Sequence, residues 1–210
     1  MLKLLRPNFH IGNRVFPAFQ VLGLTGFAMG TVYVFVAGFF LPFPVWGAGV
    51  GLAVGFAVLF GVGMLEKWAK GREDIVFYHH LLSFLALNAV WIYFAGLDLA
   101  MGMDLMAIAI FLFTVFGRIG CLFVGCCHGQ PTIRGIVYGE RHATCGFPHH
   151  LLGVPLIPVQ LFEAMAHLLI VVVGIVLSMA TGFVGYTLFW GLAAYGVVRY
   201  ALEFIRGDAG

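Results

Sequence analysis

The sequence predicts an all-α fold, a polytopic membrane protein with about six transmembrane helices, and three observations carry that expectation. Hydrophobic residues make up 62% of the 210-residue chain and charged residues 10%. A soluble domain carries roughly 25% charged residues, so this chain cannot cover a globule with polar surface and lipid must be its solvent. Six apolar stretches are long enough to cross a hydrocarbon core, which takes about 20 residues each. Basic and histidine residues, finally, gather at one end of those stretches. The formal net charge of +2 makes no case for nucleic acid, and no such partner is expected.

Taken in order, the spans are expected near Val15–Leu41, Phe43–Leu65, Val76–Gly96, Leu99–Val124, Pro158–Ala180 and Gly182–Ile205. The first is too long for a cleavable signal and no small-residue cleavage site follows it, so no leader is expected. Pro42 and Pro44 mark a tight turn after it. In the second, Gly47, Gly51 and Gly55 fall four apart on one face, the spacing that lets helix backbones approach closely in lipid. The fifth and sixth meet at Thr181–Gly182. A loop from about Cys126 to Ile157, rich in His, Gly and Pro and holding Cys145, joins the fourth to the fifth. Loops of that length without regular structure are usually functional or disordered. Residues 1–210 are expected to form a single integral membrane domain.

An even number of spans puts both termini on one side of the membrane, here called side A. All eleven Lys and Arg lie on side A or in helix ends facing it, and so do all eight His, of which His167 is the deepest. Side B holds Pro42, Pro44, Asp98, Asp104 and Thr181 and no basic residue. Lys3, Arg6, Arg14, Lys67, Lys70 and Arg72 flank the first three helices in the manner of positive-inside residues, little offset by Glu66, Glu73 and Asp74. A plasma (inner) membrane location with cytoplasmic termini and a cytoplasmic His-rich loop follows as an expectation.

Three other arginines need a different account. Arg118 ends an apolar helix, Arg199 lies inside the last one and Arg206 follows it. Intramembrane charge costs a few kcal/mol or more and requires a partner or a function. Tyr195, Arg199, Glu203 and Arg206 recur at offsets of four, four and three, which share one helix face. "PVQLFEAMAH" sets Gln160, Glu163 and His167 on one face, and "FYHHLLS" brings Tyr78, His79, His80 and Ser83 to the same end of the bundle. Two inward-facing arginines make a clamp for a phosphate in lipid surroundings. The competing reading makes Arg199–Glu203 a structural ion pair, which leaves Arg118 unexplained.

Cys121, Cys126, Cys127 and Cys145, with His128, His142, His149 and His150, are ligand types for zinc or another borderline metal. The spacing argues against one: there is no C-x-x-C pair, adjacent cysteines rarely both reach one tetrahedral ion, and Cys121 belongs to the helix. Neither a metal nor another cofactor is expected, and packing of small cysteines beside glycines is preferred. A thiolate–imidazole nucleophile from Cys126, Cys127 and His128 is the other alternative, without an evident third orienting group.

"GRIGCLFVGCCHGQPT", "GIVY", "PVQLFE" and "GVVRYALEFIRGD", in that order, together resemble the prolipoprotein diacylglyceryl transferase family. "FHIGNRVFPAFQVLGL" looks like the family's opening strand-and-helix segment. The resemblance implies an enzyme that moves the diacylglyceryl group of phosphatidylglycerol to a lipoprotein cysteine, with glycerol phosphate leaving. It implies that Arg118 and Arg199 hold the phosphate, that Glu163 and Glu203 orient them, and that Tyr78 accepts a proton or positions substrate. His128 joins this catalytic set. Gly117, Gly120, Gly125 and Gly129 would permit close backbone approach, and Gln160, Arg206, His79 and His80 would line the substrate. The chain has His79 and His80 where the family has paired glycines, and Cys121 and Cys126 where it often has Asn and an acidic residue. The family's final transmembrane helix, beyond Asp208, is not among these 210 residues. The alternatives are a lipid-modifying enzyme with another acceptor, using His79, His80 or His128, a Cys/His metal- or redox-active membrane protein, and a non-catalytic lipid binder or transporter.

Overall fold

The structure, a computed structural model, describes residues 5–70 and 77–207. Lys3, Arg72, Glu73, Asp74 and Asp208 lie outside the described residues, as do the side chains of Glu66, Lys67, Lys70, Tyr78 and His79. The chain is mostly helical. Its order is β1 (Asn8–Ile11), β2 (Arg14–Pro17), α1 (Ala18–Phe40), α2 (Val45–Lys70), α3 (Phe77–Phe94), α4 (Leu99–Val124), β3 (Pro131–Val137), α5 (Glu140–Ala143), a 3-10 turn (His149–Leu151), β4 (Pro155–Leu156), α6 (Val159–Thr181) and α7 (Tyr186–Glu203).

Six of these helices run 18 to 26 residues and sit where the six apolar stretches predicted them. By length and composition α1, α4 and α6 are apolar enough to cross a membrane, while α2 and α3 contain the shorter apolar stretches Val45–Val58 and His80–Phe94. The first span starts three residues later than the sequence suggested. Arg14–Pro17 pairs antiparallel with Asn8–Ile11, Phe9 opposite Phe16. Proline disfavours helical geometry in the residue before it, so Phe16 stays extended and α1 begins only at Ala18, whose N–H donates to the Pro7 carbonyl at 2.8 Å.

The described residues form two compact units, Met1–Met29 with Phe111–Val172 and Leu192–Gly210, and Gly30–Ile110 with Val173–Gly191. In the second unit the glycine face of α2 performs as its spacing predicted. A side chain at Gly51 would meet Asn88 Oδ1 at 2.8 Å, one at Gly47 would strike Leu97, and one at Gly55 would overlap the Phe84 ring. Helices α2 and α3 therefore pack at near-backbone distance. Asn88 is fully buried and donates to the Phe84 carbonyl at 3.0 Å.

Asp104, fully buried in α4, caps α7 from another helix. Its two carboxylate oxygens accept from Gly185 N and Leu188 N, each at 2.9 Å. The first turn of a helix has N–H groups with no intrahelical partner, and in lipid no water can satisfy them. The Ser178 and Thr187 hydroxyls bond each other beside this cap, and Thr187 also donates to Gly174 O at 3.1 Å.

In the first unit the expected long loop is structured. β3 pairs antiparallel with β4, and Leu122, Ile136, Tyr138, Phe147 and Leu156 form a small buried cluster beneath them. Apolar residues scattered through the loop thus supply a core of their own, which periodicity over a helix or strand window does not reveal. Close approach also joins α1 to α4 here: a side chain at Gly26 would lie 2.8 Å from the Phe113 carbonyl, and one at Gly120 would lie 3.1 Å from the Phe19 ring.

The Asp104 cap generates a stability prediction. Asp104→Ala strands one buried and one part-buried N–H group and should cost about 1.5–3 kcal/mol, with Asp104→Asn costing less. Thermal unfolding in detergent measures both, and equal midpoints for parent and Asp104→Ala would show the cap to be idle.

Candidate functional site

The site lies in the first unit and is built around one buried ion pair. Arg118, in the last two turns of α4, places Nη2 2.9 Å from Glu163 Oε1 in the first turns of α6. Their side chains are 10% and 1% exposed. Tyr195 from α7 and the thiols of Cys121 and Cys127 lie within electrostatic reach of the guanidinium. A buried pair of this kind offsets its desolvation only when geometry and further hydrogen bonds are good, and removing one partner leaves an uncompensated charge.

A second cationic group comes from α7 and the turn after it. Arg199 Nη1 bonds Glu203 Oε2 at 2.6 Å, and Arg206 Nε lies 4.0 Å from the same oxygen. Glu203 is half exposed, while the side chains of Arg199 and Arg206 are largely covered. Glu163 feels Arg199 and Arg206 as well as Arg118. Three guanidinium groups thus converge on one region. The helix face inferred from spacing accounts for Tyr195, Arg199 and Glu203, but α7 ends at Glu203. A final turn still carries Arg206 beside Glu203, its N–H donating to the Leu202 carbonyl at 3.1 Å, and chain pairing adds to this: Gly129 bridges to Arg206, Gly207 N donates to His128 O at 3.0 Å, and Gln130 N donates to Ile205 O at 3.0 Å.

The segment after α4 is pinned from several sides. Gly125 takes φ +93°, a conformation suited to a residue without Cβ, and its N–H donates to the Cys121 carbonyl at 2.8 Å, closing the helix. Gln160, fully buried at the start of α6, donates through Nε2 to the Cys126 carbonyl at 2.7 Å and to Tyr138 Oη at 3.5 Å. Tyr138 in turn donates to the Leu122 carbonyl at 3.1 Å. Burial, partly offset by the Gln160 bond, raises the Tyr138 phenol well above its ordinary range, so it stays a neutral donor. His128 is buried, donates through Nδ1 to the Gly129 carbonyl at 3.1 Å and stands edge-on to Phe147. Gly129 packs on Ile157 and Val159, where any side chain would collide.

The sequence-derived candidates thus sort unevenly. Arg118, Glu163, Arg199, Glu203, Arg206, Gln160, His128, Gly120 and Gly129 all fall in this unit. Gly117 does not serve close packing, since no described atom lies within 4 Å of the place a side chain would occupy. His80 is buried in the second unit. Two residues that spacing placed on the right faces had no role assigned to them. His167, fully buried, sets Nδ1 2.7 Å from the Glu163 carbonyl, and its ring lies against Phe111 and Tyr195, with centroids at 5.8 and 5.0 Å. Phe111, His167 and Tyr195 thus form one buried group of rings, joined to Glu163 through the His167 bond to its carbonyl.

The histidines proposed as metal ligands divide as well. His142 is buried beside Tyr138, with Nδ1 3.2 Å from Gly139 O, and burial lowers its pKa so that it remains neutral. His149 and His150 are exposed on the 3-10 turn, and Cys145 is exposed next to Thr144. The cysteine geometry departs from the reading of the spacing. Ligand atoms of Cys121, Cys126 and Cys127 all lie within 4.8 Å of one another. Only Cys121 is buried; Cys126 is exposed and Cys127 intermediate, so packing of buried thiols does not explain the last two.

One buried and two largely covered guanidinium groups at the ends of apolar helices form a cationic cluster, the kind of donor set that pairs with carboxylates or phosphates. The sequence model of the prolipoprotein diacylglyceryl transferase family matches residues 81–210, more than half of the chain, and the protein belongs to that family. Two relatives are similar over about half of it. The phosphatidylglycerol–prolipoprotein diacylglyceryl transferase of Clostridium tetani is 29% identical over 113 residues, 53% of this chain and 43% of that protein. Phosphatidylglycerol–prolipoprotein diacylglyceryl transferase 2 of Clostridium perfringens is 32% identical over 107 residues, 50% and 40% respectively. The matched stretch therefore spans about two fifths of these curated relatives.

The Arg118–Glu163 geometry predicts a characteristic stability pattern. Arg118→Gln and Glu163→Gln should each destabilise by about 3–5 kcal/mol, whereas the double variant Arg118→Met/Glu163→Met should recover most of that loss. Denaturation of the purified chain in detergent checks it. Full stability in either single variant would mean that the pair is not buried as described.

Proposed function

We propose that this protein is a membrane-embedded transferase that moves the diacylglyceryl group of an anionic, phosphatidylglycerol-like glycerophospholipid to a thiol acceptor. The observation that carries this reading is the convergence of Arg118, Arg199 and Arg206 at the buried Glu163 and the Glu203 carboxylates. Family membership and the names of the two relatives support it. Arg118 and Arg199 would hold the phosphate whose charge grows as the glyceryl C–O bond breaks, and fixed cationic donors in water-poor surroundings stabilise such charge strongly. Glu163 and Glu203 would orient the two guanidinium planes. His128 and Gln160 would line the substrate and Gly120 and Gly129 would keep backbones close, while Tyr78, His79 and His80, to which the resemblance gave proton and substrate roles, belong to the second unit. No metal or other cofactor was expected from sequence for this step, and the phosphate clamp by itself calls for none.

We further propose a plasma-membrane location. The acceptor named by the relatives is a prolipoprotein, and a lipoprotein cysteine is the first reading here. A second reading, a different acceptor at the cytoplasmic face, is favoured by charge: Arg6 and Arg14 precede α1, Lys67 and Lys70 lie at the end of α2 and Arg72 follows it in sequence, all on side A.

Mass spectrometry of lipids and peptides after incubating the purified chain with phosphatidylglycerol and a lipobox peptide tests both. The account expects release of glycerol phosphate. A peptide gaining the diacylglyceryl mass gives the first reading, and lipid consumption without peptide modification gives the second. Arg118→Lys and Arg199→Lys keep the charge but lose the planar fork, and each should reduce turnover about 100-fold or more. Near-parental turnover in both would remove the clamp from the mechanism.

A further inference from the structure

The three cysteines around the end of α4 have no part in the phosphate clamp, and their arrangement is unusual. Cys121 lies in the last turn of α4, while Cys126 and Cys127 follow the turn at Gly125. Adjacent residues in helix or strand send their side chains in different directions. Here Cys127 takes φ +55°, a left-handed conformation uncommon for a residue with a Cβ. That twist returns Cys127 to the side of Cys126, and both come within 4.8 Å of Cys121. The loop is held there by Gln160, whose amide donates to the Cys126 carbonyl.

We infer that Cys121, Cys126 and Cys127 form a three-thiolate site for one zinc ion with an open fourth position, at which the thiol acceptor binds as a thiolate. Zinc–thiolate bonds of about 2.3 Å place tetrahedral sulfurs roughly 3.8 Å apart, so the observed spacing needs only small side-chain rotations. Three sulfurs and no fourth protein ligand is the ligand count of a catalytic site rather than a closed structural one. Among the described residues, no His, Asp or Glu joins the cluster. Three thiolates and Zn²⁺ sum to one negative charge, and Arg118 and Arg206 lie within electrostatic reach of Cys127 to oppose it.

The site rests on the transferase reading and deepens it, because it supplies a nucleophile beside the phosphate clamp. An acceptor thiol would lose its proton on binding zinc. Its sulfur would then attack the glyceryl carbon, forming a C–S bond as the C–O bond to phosphate breaks. The bonding pair leaves with glycerol phosphate, which takes up the proton. The thioether product is a weak ligand and dissociates. No oxidant or reductant enters the step.

The test starts with the full chain in detergent, stripped of metal and titrated with Zn²⁺ alone. About one equivalent should bind, and Cys121→Ser, Cys126→Ser and Cys127→Ser should each weaken binding at least about tenfold, while Cys145→Ser should not. Cobalt loaded into the unmutated chain gives a second readout that needs no variant to fold: thiolate-to-cobalt charge-transfer absorption, which should change when a cysteine peptide is added but not when its serine counterpart is. Failure to bind zinc, or binding unaffected by the three serine variants, overturns the site. Cobalt absorption blind to the cysteine peptide, or full lipid turnover by the stripped chain, overturns its role toward the acceptor. Absence of turnover with cobalt bound and thiol-responsive would count against the transferase reading instead, leaving the metal site standing.

Discussion

A guanidinium placed between apolar helices cannot remain without partners, and the Arg118–Glu163 pair is the contact on which the rest of this site depends. It ties the end of α4 to the start of α6 at 2.9 Å. With those two ends joined, the chain between them must fold back over the same region. The fold-back is stabilised by Tyr138 on the Leu122 carbonyl and by Gln160 on the Cys126 carbonyl. The C-terminal turn then pairs with Gly129 and delivers Arg206. Burial makes the pair expensive, and removing either partner alone would leave an uncompensated buried charge.

Sequence alone reached the helices and the arginines for different physical reasons. Apolar length in a membrane is a direct constraint, so the six long helices were visible within a few residues, except where Pro17 kept α1 from starting at Val15. Charge in an apolar helix is equally hard to hide, which is why Arg118 and Arg199 stood out. Glu163 was found from its place on one face with Gln160 and His167, although its partner in α4 was not determined by any spacing within α6.

What was hidden depends on contacts between distant segments. Residues 126–157 read as an irregular loop because Tyr138, Phe147 and Leu156 meet only after the chain has turned several times. Arg206 fitted the α7 face by arithmetic, but its pairing with Gly129 was not signalled by any spacing. The cysteine cluster was obscured by one backbone angle, the left-handed Cys127, which no composition or period signals. Asp104 was read as a polar residue on side B, and its capping of α7 involves residues more than 80 positions away.

The central claim is that the buried arginines recognise an anionic phospholipid headgroup. Native mass spectrometry of the full chain, equilibrated with equal amounts of phosphatidylglycerol and the zwitterionic phosphatidylcholine, measures that recognition without requiring turnover. The account predicts that the parent retains phosphatidylglycerol preferentially and that the preference disappears in a chain carrying Arg199→Gln together with Arg118→Met/Glu163→Met. Equal retention of the two lipids by the parent would contradict it.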